Sequence, residues 1–283
     1  MNKKELHQLL AIIHRSLEED LGDGDITTFS TVPARSILKG TFIAKESGIV
    51  AGLDVVRETL KYLHPRISFS ACVTDGQHVT EGTVLATVRG HGRALLIAER
   101  TALNFLQRMS GIATTTRSYV DAVRKTKAVI VDTRKTVPGL RLLDKWAVRC
   151  GGGQNHRFGL YDMVLIKENH IAAAGGITQA VSRVRAMDRK HRPIEVEVQT
   201  LDELRETLEL HVDRILLDNM SLRQMRSAVQ LTKNKTPLEA SGNISLRTVA
   251  AVAATGVDII SVGRLTHSVH ALDISFLIES GTL

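Results

Sequence analysis

Six short apolar runs in the second half of the chain each lead into residues that can bind or neutralise charge. Val129-Ile130-Val131 precedes Asp132-Thr133-Arg134-Lys135, and the run at 163–166 precedes Lys167-Glu168-Asn169-His170. The run at 194–198 carries Glu195 and Glu197 within it, and Ile215-Leu216-Leu217 precedes Asp218-Asn219. Pro237-Leu238 opens into Glu239-Ala240-Ser241-Gly242-Asn243, and the run at 259–262 into Gly263-Arg264. A single charge after a strand is ordinarily a solvated loop residue. Six polar endings in succession describe a ring of charge suited to small polyanionic ligands, because parallel strand–helix repeats gather their strand ends on one face.

Within that ring the residue types divide. Arginine presents a fork that fits carboxylate or phosphate, and lysine presents a point charge. Glu195 and Glu197 are two apart, so on a strand both point to one face, away from Val196 and Val198. If that face is interior, both carboxylates need cationic or metal partners. Between the first two runs lies Gly151-Gly152-Gly153-Gln154-Asn155-His156-Arg157-Phe158-Gly159. Its glycines are read as a backbone that passes close to a ligand, with His156 and Arg157 beside it. Ser241-Gly242-Asn243 and Gly263 precede helices expected near Leu246 and Thr266, whose free N–H groups would face a phosphate.

The elements that must position these residues follow from the periodicity. Leu6, Leu9, Leu10, Ile13 and Leu17 recur at helical spacing until the Gly22-Asp23-Gly24-Asp25 run. Strands are predicted over 36–50, 67–73 and 79–88, and a helix over 53–63, giving a small mixed domain. The hairpin-like stretch near 75–88 resembles a carrier-type turn but lacks a modifiable lysine at its tip, so it is read as structural. Apolar spacing over 93–125 predicts one or two bridging helices, with Gly111 as the candidate break. Beyond this point the six runs alternate with helical stretches, which predicts a parallel sheet compact enough for a barrel.

Composition limits the function classes. The chain has 283 residues, with 43% apolar and 24% charged residues, which fits a folded globular protein. The N-terminal stretch lacks a signal-peptide pattern, and no segment approaches the roughly 18 apolar residues of a membrane span. Cys72 and Cys150 form no metal or disulfide pattern, consistent with a reducing cytoplasm. A net charge of +7 admits a nucleic-acid reading, but aromatics are only 4% and no nucleic-acid motif is present. Neither a nucleic-acid nor a membrane partner is expected. The positive excess instead suits attraction of small anions into a cleft.

The segments ERTALNFLQRMSGIAT from Glu99, DTRKTVPGLRLLDKWAVRCGGGQNHRFGLYDMVLIKENHI from Asp132, EVEVQTL from Glu195, LLDNM from Leu216, EASGN from Glu239 and SVGRLTHS from Ser261 closely resemble the quinolinate phosphoribosyltransferase family. The resemblance runs nearly the whole chain. It implies an α/β protein with an N-terminal open α/β sandwich, residues 1–110 completed by about 268–283, and an incomplete α/β barrel over 111–267. It further implies an enzyme of de novo NAD biosynthesis that converts quinolinate and phosphoribosyl pyrophosphate to nicotinate mononucleotide, pyrophosphate and CO2 with Mg2+.

By the same resemblance, Thr133, Arg134, His156, Arg157 and Lys167 would form the quinolinate pocket, with Arg100 reaching in from a neighbouring subunit of a homodimer or homohexamer. Lys135 and Lys167 would neutralise the donor, while Glu197 and Asp218 would address ribose and Mg2+. Ser241, Gly242, Asn243, Gly263, Arg264 and His267 would hold the 5-phosphate. Lys135, Lys167, Glu197 and Asp218 are thus the catalytic candidates. Asn243, Arg264 and Trp146 depart from the residues common at these positions, and none removes a charged site residue. Two rival readings are a related protein of molybdate-transport operons, which lacks the full HRFGLYD-x-x-LIK-x-NH pattern present here, and a non-catalytic nucleotide- or RNA-binding protein. Glu197 and Asp218 weigh against the second, since acids weaken simple polyanion binding.

Overall fold

The computed structural model describes residues 2–279, in two compact units. The first comprises residues up to Arg117, Thr136–Gly152 and the chain from Ser268; the second comprises Ser118–Lys135 and Gly153–His267. Residues 280–283, expected to help complete the first domain, lie outside the described residues.

In the first unit, α1 (Lys3–Leu21) and α2 (Ile26–Thr31) precede β1 (Ile37–Ala44), β2 (Gly48–Ile49), α3 (Leu53–Leu63), β3 (Ser68–Ala71), β4 (His78–Val79) and β5 (Val84–His91). A box of reciprocal bonds between Asn2 and Glu5 caps α1. The antiparallel sheet runs β12–β1–β5–β3, where β12 (Ile274–Ile278) is the returning C-terminal strand. Phe42 and Phe276 stand opposite each other in that register, their ring centroids 4.6 Å apart. Leu53, Val56 and Leu60 of α3 bury one helical face in the same core as Phe42 and Leu85.

The long helix α4 (Gly92–Val123) is continuous. Gly111 does not break it: a Cβ at that position would meet the His270 carbonyl oxygen at 2.0 Å, so the glycine admits a crossing backbone. Within the expected barrel range, α5 (Arg141–Cys150) packs as part of the first compact unit. The reason is chemical. Arg108 Nε and Nη2 of α4 donate to the buried Asp144 carboxylate at 2.9 and 2.8 Å, and Arg117 Nε donates to the Gly151 carbonyl at 3.1 Å.

In the second unit, β6 (Val129–Val131), β7 (Val164–Ile166), β8 (Ile194–Val198), β9 (Arg214–Asp218), β10 (Leu238–Ser241) and β11 (Ile259–Ser261) occupy the six predicted runs. Between them lie α6 (Glu168–Ala174), α7 (Ile177–Met187), α8 (Leu201–Glu209), α9 (Leu222–Thr232) and α10 (Val249–Ala253), with α11 (Arg264–His267) after β11. The sheet order is β6–β11–β10–β9–β8–β7, and its described pairings are all parallel. Among the described residues β6 and β7 do not pair, so the barrel is incomplete. Reciprocal caps, Thr200 with Glu203 and Ser221 with Gln224, start α8 and α9 immediately after the strand ends.

Candidate active site

Strand alternation decides which side chains meet. Glu195 and Glu197 share one face of β8, Leu216 and Asp218 one face of β9, and Glu239 and Ser241 one face of β10. All except the fully buried Glu195 line a cavity of about 690 Å³. Thr133, Arg134 and Lys135 after β6, His156 and Arg157 from the following loop, and Lys167 after β7 line the same cavity. So do Gly242, Asn243, Gly263, Arg264 and His267. The structure therefore brings together every site residue expected from the sequence except Arg100. Arg100 lies on α4 in the first unit, where it lines a separate recess with Leu17, Asp20 and Leu96.

Two buried acids underlie the cationic wall. His156 Nε2 stands 3.0 Å from Glu195 Oε2 and 3.3 Å from Glu239 Oε2, and Arg214 Nη1 donates to Glu239 Oε2 at 3.2 Å. Burial opposes a charged His156 ring, but hydrogen bonds to Glu195 and Glu239, reinforced by their charges, outweigh it and raise the pKa to about 9. Burial likewise pushes the Glu195 carboxyl up, whereas in Glu239 the burial effect is overcome by His156, Ser261 and Arg214, and its pKa falls. The Arg157 backbone N–H lies 2.7 Å from His156 Nδ1, so Nε2 is the nitrogen that turns its proton toward the two carboxylates.

This charge state has a measurable consequence. Because the folded pKa of His156 lies above its ordinary value of 6.5, its stabilising contribution is complete below that value and is lost as pH rises through about 9. Affinity for a dicarboxylate held by this wall should stay level from pH 6.5 to 8 and decline above 9. Binding of a dicarboxylate measured across pH 6 to 10 checks this, and a decline centred near 6.5 would contradict it.

The loop bearing His156 and Arg157 is anchored rather than loose. Asp132, fully buried, accepts from the His156 backbone N–H at 2.9 Å and from Asn155 Nδ2 at 2.6 Å. Asp162 accepts from the Phe158 and Gly159 N–H groups at 2.5 and 2.8 Å. Arg157 Nη1 donates to the Met163 carbonyl at 3.2 Å. Burial and then the like charge of Arg134 lower the Arg157 pKa, so an anion bound beside the two guanidiniums would relieve their repulsion. The preceding glycines have another role than the expected ligand approach. None of Gly151, Gly152 and Gly153 lines the cavity, and a Cβ on Gly151 would meet the Ala113 carbonyl oxygen at 2.5 Å.

On the opposite wall, Lys167 Nζ donates to Glu197 Oε2 at 3.0 Å, and the Lys167 backbone N–H donates to His170 Nδ1 at 2.9 Å. Thr266 Oγ1 donates to the Lys135 carbonyl at 2.8 Å, and a Cβ on Gly263 would lie 3.0 Å from Lys135 Cδ. Lys135 thus adjoins Gly263, against which His267 also packs. The helices expected to start there are short, Val249–Ala253 and Arg264–His267, so the cradle consists of loop backbone with left-handed Gly242 (φ +100) and Asn243 (φ 52) more than of helix ends.

The oxygen donors of Glu197 and Asp218, both facing the cavity, suit a hard cation such as Mg2+ that keeps water and substrate ligands. By contrast, His156, Glu195 and Glu239, the gathered His/acid triple among the described residues, bring a nitrogen donor, and His156 Nε2 is already shared between the two carboxylates. They do not suit Mg2+. Glu239, Ser261 and Asn219 are site residues that the sequence reading did not single out. Glu239 was visible as a strand-end acid, and the register that joins it to His156 was not.

Comparison with known proteins identifies the architecture. A family model described as the quinolinate phosphoribosyl transferase C-terminal domain matches residues 112–277, and its N-terminal counterpart matches 25–110. The nicotinate-nucleotide pyrophosphorylase (carboxylating) of Mycobacterium leprae is 48% identical, covering 93% of this chain and 94% of that protein. The chloroplastic protein of the same name from Oryza sativa subsp. japonica is 45% identical over 97% of this chain and 78% of its own length. The solved NadC from Streptococcus pyogenes superposes with a TM-score of 0.93 at 38% identity, over 96% of this chain and 97% of that one. The chain belongs to the quinolinate phosphoribosyltransferase family.

Proposed function

We propose that this protein transfers the phosphoribosyl group of phosphoribosyl pyrophosphate to quinolinate and decarboxylates the product, yielding nicotinate mononucleotide, pyrophosphate and CO2 in NAD biosynthesis. The observation that carries this reading is a single cavity lined by Arg134, His156 and Arg157, by Glu197 and Asp218, and by the glycine-bearing loops after β10 and β11. That set of charges matches the dicarboxylate, the ribose and the phosphate of the two substrates.

Arg134, His156, Arg157 and Lys167 hold the two carboxylates of quinolinate, with Thr133 at the rim. Ser241, Gly242, Asn243, Gly263, Arg264 and His267 hold the 5-phosphate, and Lys135 neutralises the pyrophosphate. Lys167 also orients Glu197 through their 3.0 Å contact. The pyridine nitrogen carries no proton, so its lone pair attacks the anomeric carbon without a general base while the bond to pyrophosphate breaks. Glu197 and Asp218 stabilise the positive charge that gathers on the ribose ring. Glu197 and Asp218, together with oxygens of the donor, would hold Mg2+, which would supply additional charge neutralisation for the leaving group. The positive charge of the quaternised ring nitrogen then stabilises the electron pair left at C2 as CO2 departs, and that pair takes up a proton from solvent.

Substrate choice tests the reading. Incubation with Mg2+ and phosphoribosyl pyrophosphate should give nicotinate mononucleotide from quinolinate, and a preference for nicotinate over quinolinate would overturn it. The active form is a homodimer or a homohexamer in which Arg100 serves the neighbouring subunit's pocket. This rests on Arg100 standing in the first unit and not at any strand end. Mixing Arg100→Ala with Lys167→Ala, each inactive alone, should recover part of the activity in hybrid oligomers. A fully active monomer by light scattering contradicts the proposal. The cytoplasm is the proposed compartment, where the two thiols, Cys72 and Cys150, both outside any disulfide, stay reduced. Among the described residues no helix is long and apolar enough to cross a membrane.

A further inference from the structure

Asn219 follows the last residue of β9 and adopts φ 53, a left-handed conformation that a residue other than glycine enters at some cost. Three bonds hold it there. Its backbone N–H donates to the Ser241 carbonyl at 2.9 Å, its Nδ2 donates to Asp218 Oδ2 at 3.0 Å, and its Oδ1 accepts from Asn243 Nδ2 at 3.2 Å. The orientation of the amide follows from chemistry: an ionised Asp218 only accepts, so the nitrogen of Asn219 must face it. The oxygen is then directed to the loop over β10. There a Cβ on Gly242 would meet Asn219 Oδ1 at 2.1 Å, and Gly242 itself has φ +100. The amide therefore lies directly against the glycine of the phosphate cradle, and only glycine satisfies both the conformation and the space.

We infer that Asn219 is a positioning residue that fixes the distance and angle between the Ser241–Gly242–Asn243 phosphate cradle and the Asp218 carboxylate. The inference rests on the functional reading above, in which the cradle takes the 5-phosphate and Asp218 addresses the ribose and Mg2+. The 5-phosphate and the ribose belong to one donor molecule joined by a short flexible arm, so protein partners held at a set spacing select the reactive conformation of that donor. A single planar amide bonded to both partners is a short and stiff way to hold that spacing. No bond joins Asn219 to the arginines and histidine of the dicarboxylate wall, so its effect should fall on the donor alone.

Asn219→Asp keeps the size and turn preference of the residue but replaces the donor by a carboxylate beside Asp218. KM for phosphoribosyl pyrophosphate should rise at least tenfold, with KM for quinolinate within about twofold of the parent protein. Asn219→Gly enters the left-handed turn freely, so it keeps the fold while removing the amide, and it should show the same selective rise. Combining Asn219→Ala with Asn243→Ala should raise the donor KM by less than the product of the single effects, since the two residues share one bond. Equal changes in both KM values, or a donor KM restored to the parent value in Asn219→Gly, would overturn the inference and leave a backbone role only. An inactive parent protein would instead refute the functional reading, which keeps the two failures distinct.

Discussion

Arg157→Ala should raise KM for quinolinate by roughly a hundredfold or more while leaving KM for phosphoribosyl pyrophosphate within about threefold. The estimate corresponds to about 3 kcal/mol, within the range for removing one member of a desolvated, hydrogen-bonded charge pair. The selectivity follows from position. Arg157 stands beside His156, its backbone N–H 2.7 Å from the ring, and feels the charge of Arg134, whereas the phosphate cradle is formed by residues after β10 and β11. Arg157 is also held in place independently of ligand, through Met163 and the Asp162 clamp on the adjacent backbone, so the substitution removes a binding group without dissolving the loop. Arg157→Lys keeps the charge but not the fork, and it should recover only part of the loss. An equal rise in both KM values would contradict the division of the cavity.

Glu239→Ala should lower unfolding stability by about 3–5 kcal/mol, the range for breaking a buried ion pair and leaving its partners uncompensated. Glu239 is fully buried and serves His156 and Arg214 together. Its removal leaves Arg214 without that carboxylate and His156 with Glu195 alone, so the ring should also release its proton at lower pH. Denaturant unfolding at pH 7 and the pH dependence of quinolinate binding give separate readouts. A loss below about 1 kcal/mol, together with an unchanged pH profile, would indicate that the cluster is incidental to the pocket.

Much of the site is legible in local sequence, and what is not legible depends on register. The six strands are marked by apolar runs, and alternation correctly puts Glu195 and Glu197 on one face. Alternation cannot say which neighbours they meet. Glu197 finds Lys167 one strand away, while Glu195 meets His156 from a loop 39 positions earlier and, through it, Glu239 of β10. Such pairings arise only when the parallel sheet assembles. Asn219 was visible as a strand-end residue but its role was not, for a related reason: it lies in a left-handed turn and in a contact to Gly242 across two strand ends.

Glycine misled in two places because its sequence signal has more than one cause. Gly111 reads as a helix break and is in fact a gap that admits the backbone near His270. Gly151 reads as a ligand-approach residue and instead allows close packing on Ala113 and Thr116. In each, the missing side chain makes room for protein. Gly242, with the same residue type, combines a positive φ with contact to a site amide. The distinction is set by what lies opposite each glycine.

The central claim is that one cavity couples phosphoribosyl transfer to loss of the 2-carboxylate of quinolinate. Quinolinate labelled at that carboxylate, supplied with phosphoribosyl pyrophosphate and Mg2+, should release one labelled CO2 for each pyrophosphate formed, and none when the donor is omitted. Release of pyrophosphate without labelled CO2, or of labelled CO2 without the donor, would contradict the account.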